Sequence, residues 1–289
     1  MGMKNPMVAN CPKCEKKYVL ICATCGLCSD CGNHENCCTD LSKNKIDQES
    51  LNIETALVEG GTFQTATVNV AEDKIPAHPV TVSSFYIGKY LVTQKEWKKI
   101  MGTNPSNFIG DKRPVEKITW YQAIEFCNKL SQKEGLTPCY TIKGIISKKY
   151  LCDFSKDGYR LPTEAEWEFA ARGGNLSQGY TYSGGNNIDE VGWYTSNSGI
   201  QTKEVGTKKA NELGIYDMNG NVCEWCWDPT ESSLMKQFPF MANNRSSFYR
   251  VARGGCYCSV DKRCMVNSRY DYDSKDCNDM LGFRLARTV

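Results

Sequence analysis

The stretch from Val80 to Ile87 alternates like a strand with aromatic cover, and Gly60 and Gly61 before Phe63 mark an earlier turn and strand. After Ile87 the period lengthens. Thr93 with Glu96 three residues on is a capping box, and it predicts a helix that carries Trp97 and Ile100 inward. A second box, Thr119 with Gln122, opens a helix with Trp120, Ile124, Cys127 and Leu130 on one face. A third, Thr163 with Glu166, follows Arg160-Leu161-Pro162 and leads into Trp167, Phe169, Ala170 and Ala171, with Gly173 and Gly174 ending it. The loop Asn104–Gly110 between the first two helices is rich in turn formers.

Beyond Arg172 no helical period survives. Gly, Asn, Ser and Tyr dominate to Gly199, and residues 211–225 pack small turn residues around apolar anchors. Helices in the first half and short strands among long loops in the second give a loop-rich α+β class. The last stretch has its own alphabet. Between Arg253-Gly254-Gly255 and Leu281-Gly282-Phe283-Arg284-Leu285, 17 of the 25 residues from Cys256 to Met280 are Cys, Tyr, Ser, Asp or Asn, and none is Leu, Ile, Phe or Trp. Such a window has too little to bury for a core strand. Stiff apolar flanks around it suit either a rigid frame displaying a binding surface or a solvated acidic loop.

A net charge of +2 over 289 residues implies no nucleic-acid or anionic-membrane partner. The apolar runs are too short to span a bilayer. No apolar leader opens the chain, so a cytoplasmic location is expected, or the cell surface if a leader was removed. The cysteines add a separate feature. Eight of the 17 lie in the first 38 residues: Cys11, Cys14, Cys22, Cys25, Cys28, Cys31, Cys37 and Cys38. Repeated C-x-x-C spacing in a segment too small for a core points to zinc held by thiolates, with a disulfide knot as the alternative in an oxidising compartment. The organisation read from this is a zinc-ribbon-like segment at 1–40, a polar linker at 41–53 and a globular domain at 54–289.

Three long stretches of that domain resemble the formylglycine-generating enzyme family: Phe85 to Gln94, Arg160 to Gly174 and Gly214 to Trp225, joined by Arg253-Gly254-Gly255 and Gly282-Phe283-Arg284. The resemblance implies a C-type-lectin-like fold of the formylglycine-generating type. It also implies two copper-binding cysteines five positions apart after the Arg-Gly-Gly. Cys264 matches the second position, but Ser259 occupies the first. A hydroxyl is a poor ligand for Cu(I), so no copper is expected. Cys258 is one residue away, which on a strand would place it on the opposite face. Asn221 and Glu224 sit where family members can bind calcium; the same side chains could instead fix turns around Trp225.

Residues 253–287 also resemble the variable region of proteins diversified by a retroelement, of the Treponema variable protein type. In that class, miscopied asparagine codons reach Tyr, Asp, Ser, Cys and Asn, the five residue types that fill the window. The resemblance implies a non-enzymatic protein that binds a protein or other surface ligand through Cys256, Tyr257, Cys258, Ser259, Asp261, Ser268, Tyr270, Asp271, Tyr272, Asp273, Asp276, Asn278 and Asp279. Tyr257, Tyr270 and Tyr272 are the expected anchors, since tyrosine offers rigid contact at low entropic cost. The aspartates predict a ligand with basic or hydrogen-bond-donor character. Cys256, Cys258 and Cys277 are expected on the surface, and Cys264 fits a buried small apolar role. The alternative is a copper-dependent oxidase of the formylglycine-generating type.

Overall fold

The structure, a computed structural model, describes residues 51, 53–65, 77–144, 149–230 and 248–289, with backbone alone at 7–9, 19–21, 68–70 and 73–75. The chain divides into two units, residues 1–51 and 52–289. In the first, strands β1 (Met7–Ala9) and β2 (Val19–Ile21) pair antiparallel. The eight predicted zinc cysteines, Cys11 to Cys38, lie outside the described residues.

The second unit starts with β3 (Thr55–Val58), β4 (Gly61–Gln64), β5 (Val68–Val70), β6 (Asp73–Ile75), β7 (Pro79–Val82) and β8 (Phe85–Gly88). The single strand predicted over Val80–Ile87 is therefore two. A break at Ser83-Ser84 lets β7 pair with β4 and β8 pair with β3. The three capping boxes form as expected. Thr93, Thr119 and Thr163 cap helices α1 (Gln94–Met101), α2 (Trp120–Lys133) and α3 (Glu164–Ala171), each side chain accepting from the backbone N–H of the third helical residue. Between α2 and α3 lie β9 (Tyr140–Lys143), β10 (Lys149–Cys152) and β11 (Tyr159–Arg160); after α3 comes the one-turn α4 (Ile188–Val191).

The C-terminal third supplies β12 (Cys223–Pro229), β13 (Tyr249–Arg253), β14 (Arg269–Asp273), β15 (Leu281–Gly282) and β16 (Ala286–Thr288). One four-stranded sheet has the order β11-β16-β8-β3, so the end of the chain is hydrogen-bonded beside the start of the domain. A second has the order β14-β13-β12-β15, with β12 and β15 parallel. Trp167, Phe169, Ala170 and Ala171 of α3 fill the core with Val58, Phe85, Ile87, Met218, Cys226, Val251 and Val266. Trp97 stacks on Phe126 at 5.4 Å and meets Phe283 edge-on, which joins α1 and α2 to the segment between β15 and β16. Among the described residues no helix is long and apolar enough to cross a membrane.

The polar window is not wholly a loop. Residues 269–273 form β14 at the edge of the second sheet, where one face and one backbone edge need no apolar cover.

Candidate functional site

Two buried arginines hold the ends of the window. Arg253, fully buried, donates to Glu168 Oε2 at 2.6 Å and to the carbonyls of Val266 at 3.1 Å and Ser268 at 2.8 Å. Arg284 grips both oxygens of Glu224 at 2.5 and 2.8 Å and donates to the carbonyls of Gly88 and Tyr216. Each charge is paired and hydrogen-bonded, the condition for burying it. Gly255 then turns the chain at φ +75; a Cβ there would lie 2.7 Å from the Arg263 carbonyl and 2.8 Å from Cys264 Sγ, so only glycine fits.

The turn that follows docks on three other loops. Tyr257 N–H donates to the Asn221 carbonyl at 2.8 Å, and Ser198 Oγ donates to the Tyr257 carbonyl at 2.7 Å. Thr195 N–H donates to the Ser259 carbonyl at 3.0 Å, and the Tyr257 ring meets Phe108 edge-on at 5.2 Å. Ser259 Oγ accepts from Cys256 N–H at 3.0 Å and closes the turn. No strand forms here, so the alternation expected to separate Cys258 from its neighbours does not apply. Cys256 and Cys258 instead bring their sulfurs to 3.3 Å.

Behind the turn, Tyr270 and Tyr272 project from the same face of β14 with ring centroids 6.4 Å apart, as alternate strand positions should. Tyr272 packs edge-on against Trp225 at 6.0 Å. The Tyr270 hydroxyl donates to the Arg263 carbonyl at 2.5 Å and has Ser259 beside it; the Tyr272 hydroxyl has Cys223. Burial, then the charges of nearby thiols, pushes both phenols up, so they stay neutral. The result is a partly sheltered recess of tyrosines, a serine and the thiols of Cys223, Cys256, Cys258 and Cys264. Burial pushes Cys264 up to about 12.

Of the predicted face, Cys258, Asp261 and Asp271 are exposed; Ser259, Ser268, Tyr270, Tyr272, Asp273, Asp276, Asn278 and Asp279 are half-buried. Two expectations are corrected. Tyr257 is buried, because its ring fills the gap against Phe108 and its phenol reaches Asp279. Cys256 is buried beneath Cys258, whereas Cys277 is exposed as expected. Two acids and an asparagine are turn residues more than free contacts: Asp273 Oδ1 accepts from Lys275 N–H, Asp276 Oδ2 from Asp273 N–H and Asn278 Oδ1 from Met280 N–H. Asp279 accepts from Asn107. Asp271 and Asp273 leave β14 on the face opposite the tyrosines.

Asn221 and Glu224, the residues of the calcium expectation, have partners that suit the alternative of fixing turns around Trp225. Glu224 spends both oxygens on Arg284, and Asn221 exchanges hydrogen bonds with the backbone of Lys203 at 3.0 and 3.2 Å. The sequence reading missed three exposed apolar side chains in the segments that meet at the turn: Ile109 (71% exposed), Ile200 (68%) and Val260 (55%). Ile109 follows Phe108, Val260 follows Ser259, and Ile200 N–H donates to the Ser198 hydroxyl that holds Tyr257. Ile200 also has φ +56, a left-handed conformation that β-branched residues rarely adopt. A single isoleucine in a run of Gly, Asn and Ser was the available signal.

The family model described as sulfatase-modifying factor enzyme 1-like domain matches residues 42–289. The chaperone protein LppX of Paenibacillus barcinonensis is 40% identical over 302 residues, covering 94% of this chain and 98% of that protein. The solved structure of Treponema denticola variable protein 1 superposes with a TM-score of 0.71 at 36% identity, covering 81% of this chain and 95% of that one. The formylglycine-generating enzyme of Streptomyces coelicolor is 32% identical over 148 residues, 45% of this chain and 46% of the enzyme.

Proposed function

The chain belongs to the sulfatase-modifying factor enzyme 1-like family, and on that premise we propose that its C-terminal turn and edge strand form a non-catalytic binding face for a protein or other surface ligand. The observation that carries this reading is Ser259. It stands at the first of the two thiol positions that the resemblance implies for copper, and its hydroxyl closes a backbone turn at 3.0 Å. One soft thiolate of the implied pair is thereby replaced by a hydroxyl, a poorer ligand for Cu(I). A variable protein 36% identical over most of the chain supports a binding role. The five-type alphabet of the window supports diversification by a retroelement; a template repeat differing at adenines in the flanking DNA would test it.

The face we assign combines Cys258, Ser259, Tyr270 and Tyr272 with the apolar rim of Ile109, Ile200 and Val260. Exposed apolar side chains gathered at a polar, tyrosine-bearing recess mark an interaction site. Asp261, exposed one residue beyond Val260, adds a negative charge beside that rim. The relatives named formylglycine-generating enzyme, together with Cys264 at the second thiol position, favour an oxidase as the alternative. The eight N-terminal cysteines we assign to zinc.

Screening the full-length protein against a displayed library of extracellular domains, then measuring hits by biolayer interferometry, tests the face. Val260→Asp and Ile109→Asp alter exposed positions the fold tolerates. Each should weaken binding about tenfold, near 1.4 kcal/mol. Affinities unchanged by both would refute this placement.

A further inference from the structure

The turn after Gly255 sets two thiols against each other. Cys256 Sγ lies 3.3 Å from Cys258 Sγ and 3.2 Å from Ser259 Oγ, and both cysteines carry free thiols. Cys258 faces solution; Cys256 sits directly behind it, 3% exposed. The backbone on both sides is pinned, by Tyr257 N–H on the Asn221 carbonyl and by Ser259 N–H on the Cys256 carbonyl at 2.9 Å. A disulfide requires about 2.05 Å between sulfurs, so closure asks for a shift of about 1.3 Å.

We propose that Cys256 and Cys258 form a reversible dithiol–disulfide pair at the centre of the turn, a modification site whose reaction partner is a low-molecular-weight disulfide. The Cys223 thiol, then Ser259 and Cys258, hydrogen-bond to Cys256 and pull its thiol down to about 6 against burial, so the pair holds a thiolate at neutral pH. Burial pushes Cys258 up to about 12, which leaves the shared proton on the outer sulfur. Passing that proton inward across the 3.3 Å contact frees the Cys258 thiolate at the surface.

The exchange then balances in two steps. Cys258 Sγ attacks one sulfur of the external disulfide, that disulfide bond breaks, and one external thiolate leaves and takes up a proton. Cys256 Sγ, releasing its proton to solvent, attacks Cys258 Sγ; the Cys256–Cys258 bond forms as the mixed disulfide breaks and the second external thiol departs. The pair, which held one thiolate and one thiol, gives up two electrons and one proton, and the external disulfide becomes two thiols by taking one further proton from solvent. Cys223 also touches Cys256, but it is buried, so an incoming disulfide meets Cys258 first. A loop this short gains little chain-entropy stabilisation, and exposed or strained disulfides are the easily reduced ones, so the bond acts as a switch and not a staple. Its closure would withdraw the Cys258 thiol from the binding face and fix the Tyr257 turn.

The full-length reduced protein, treated with oxidised glutathione, quenched in acid, alkylated and digested with trypsin, reads this out. Cleavage after Arg253 and Lys262 gives a peptide, residues 254–262, that contains these two cysteines and no other. The expected product is that peptide lighter by two hydrogens, without alkylation or a glutathione adduct, and restored by dithiothreitol. Under the same treatment Cys277, a free and exposed thiol, should keep its glutathione. In Cys258→Ser, an isosteric change at an exposed position, ring closure should vanish. A persistent glutathione adduct on Cys258, a Cys223–Cys256 cross-link, or a peptide that stays reduced while Cys277 reacts would each overturn the proposal.

Discussion

Replacing Arg253 by methionine removes the guanidinium that ties the window to α3. Its Nη2 gives up Glu168 at 2.6 Å and the Val266 carbonyl at 3.1 Å, and its Nη1 gives up the carbonyls of Ser268 at 2.8 Å and Asn267 at 3.3 Å. Breaking one side of a buried ion pair costs about 3–5 kcal/mol. Glu168 keeps Arg172 at 2.7 and 2.9 Å, which moves the expectation to the low end, about 3 kcal/mol. That is a large share of a typical domain stability of about 5–15 kcal/mol. All six tryptophans lie beyond residue 51, so fluorescence in a urea titration reports the larger unit without interference from the first. Adding Glu168→Gln should recover roughly 1 kcal/mol, because a neutral amide tolerates the loss of the Arg253 guanidinium better than a carboxylate does, a coupling expected of direct contacts. A cost under about 1 kcal/mol for Arg253→Met, or strict additivity in the double variant, would refute the claim that this pair anchors the window.

Asp217 gives a pH signature. It is buried, accepts from Gly206 N–H at 2.7 Å through one oxygen and has no partner for the other, and burial raises its carboxyl to about 6. The folded state therefore binds its proton more tightly than the unfolded chain. The associated stability is present below the ordinary carboxylate range and lost as pH rises through about 6, by about 3 kcal/mol at most. Asp217→Asn should gain on the wild type by that order between pH 4 and pH 7, and a stability difference flat across this window in urea titrations would contradict it. For the first unit, mass spectrometry of metal content should find zinc in the purified protein and less of it after Cys11→Ser with Cys14→Ser; zinc unaffected by that double change would remove these cysteines from the ligand set.

The helix starts were legible because a capping box is local: Thr93, Thr119 and Thr163 need only the residue three positions on. The strand over Val80–Ile87 read correctly in period but not in extent, since its break at Ser83-Ser84 depends on which partner strand each half meets. In the window, residue type suggested a polar surface, and the tyrosines at 270 and 272 do share a face. Burial of Tyr257 and Cys256 was not legible, because it comes from loops distant in sequence that close over them: Phe108, Ser198 and Asn221. The same distance hid Ile109 and Ile200, whose segments meet the turn through Phe108 and Ser198. The aspartates misled in a different way. Composition counts charge, but Asp273 and Asp276 spend their oxygens on nearby backbone amides.

Whether this recess binds or transforms what reaches it is decided most directly by incubating the protein, loaded with copper under air, with a cysteine peptide of the kind formylglycine-generating enzymes take, and following the peptide by mass spectrometry. With Ser259 in the first thiol position, the peptide's cysteine should come through unconverted. Formylglycine that accumulates with the wild type and disappears with Cys264→Ala would contradict the binding account and make the site an oxidase.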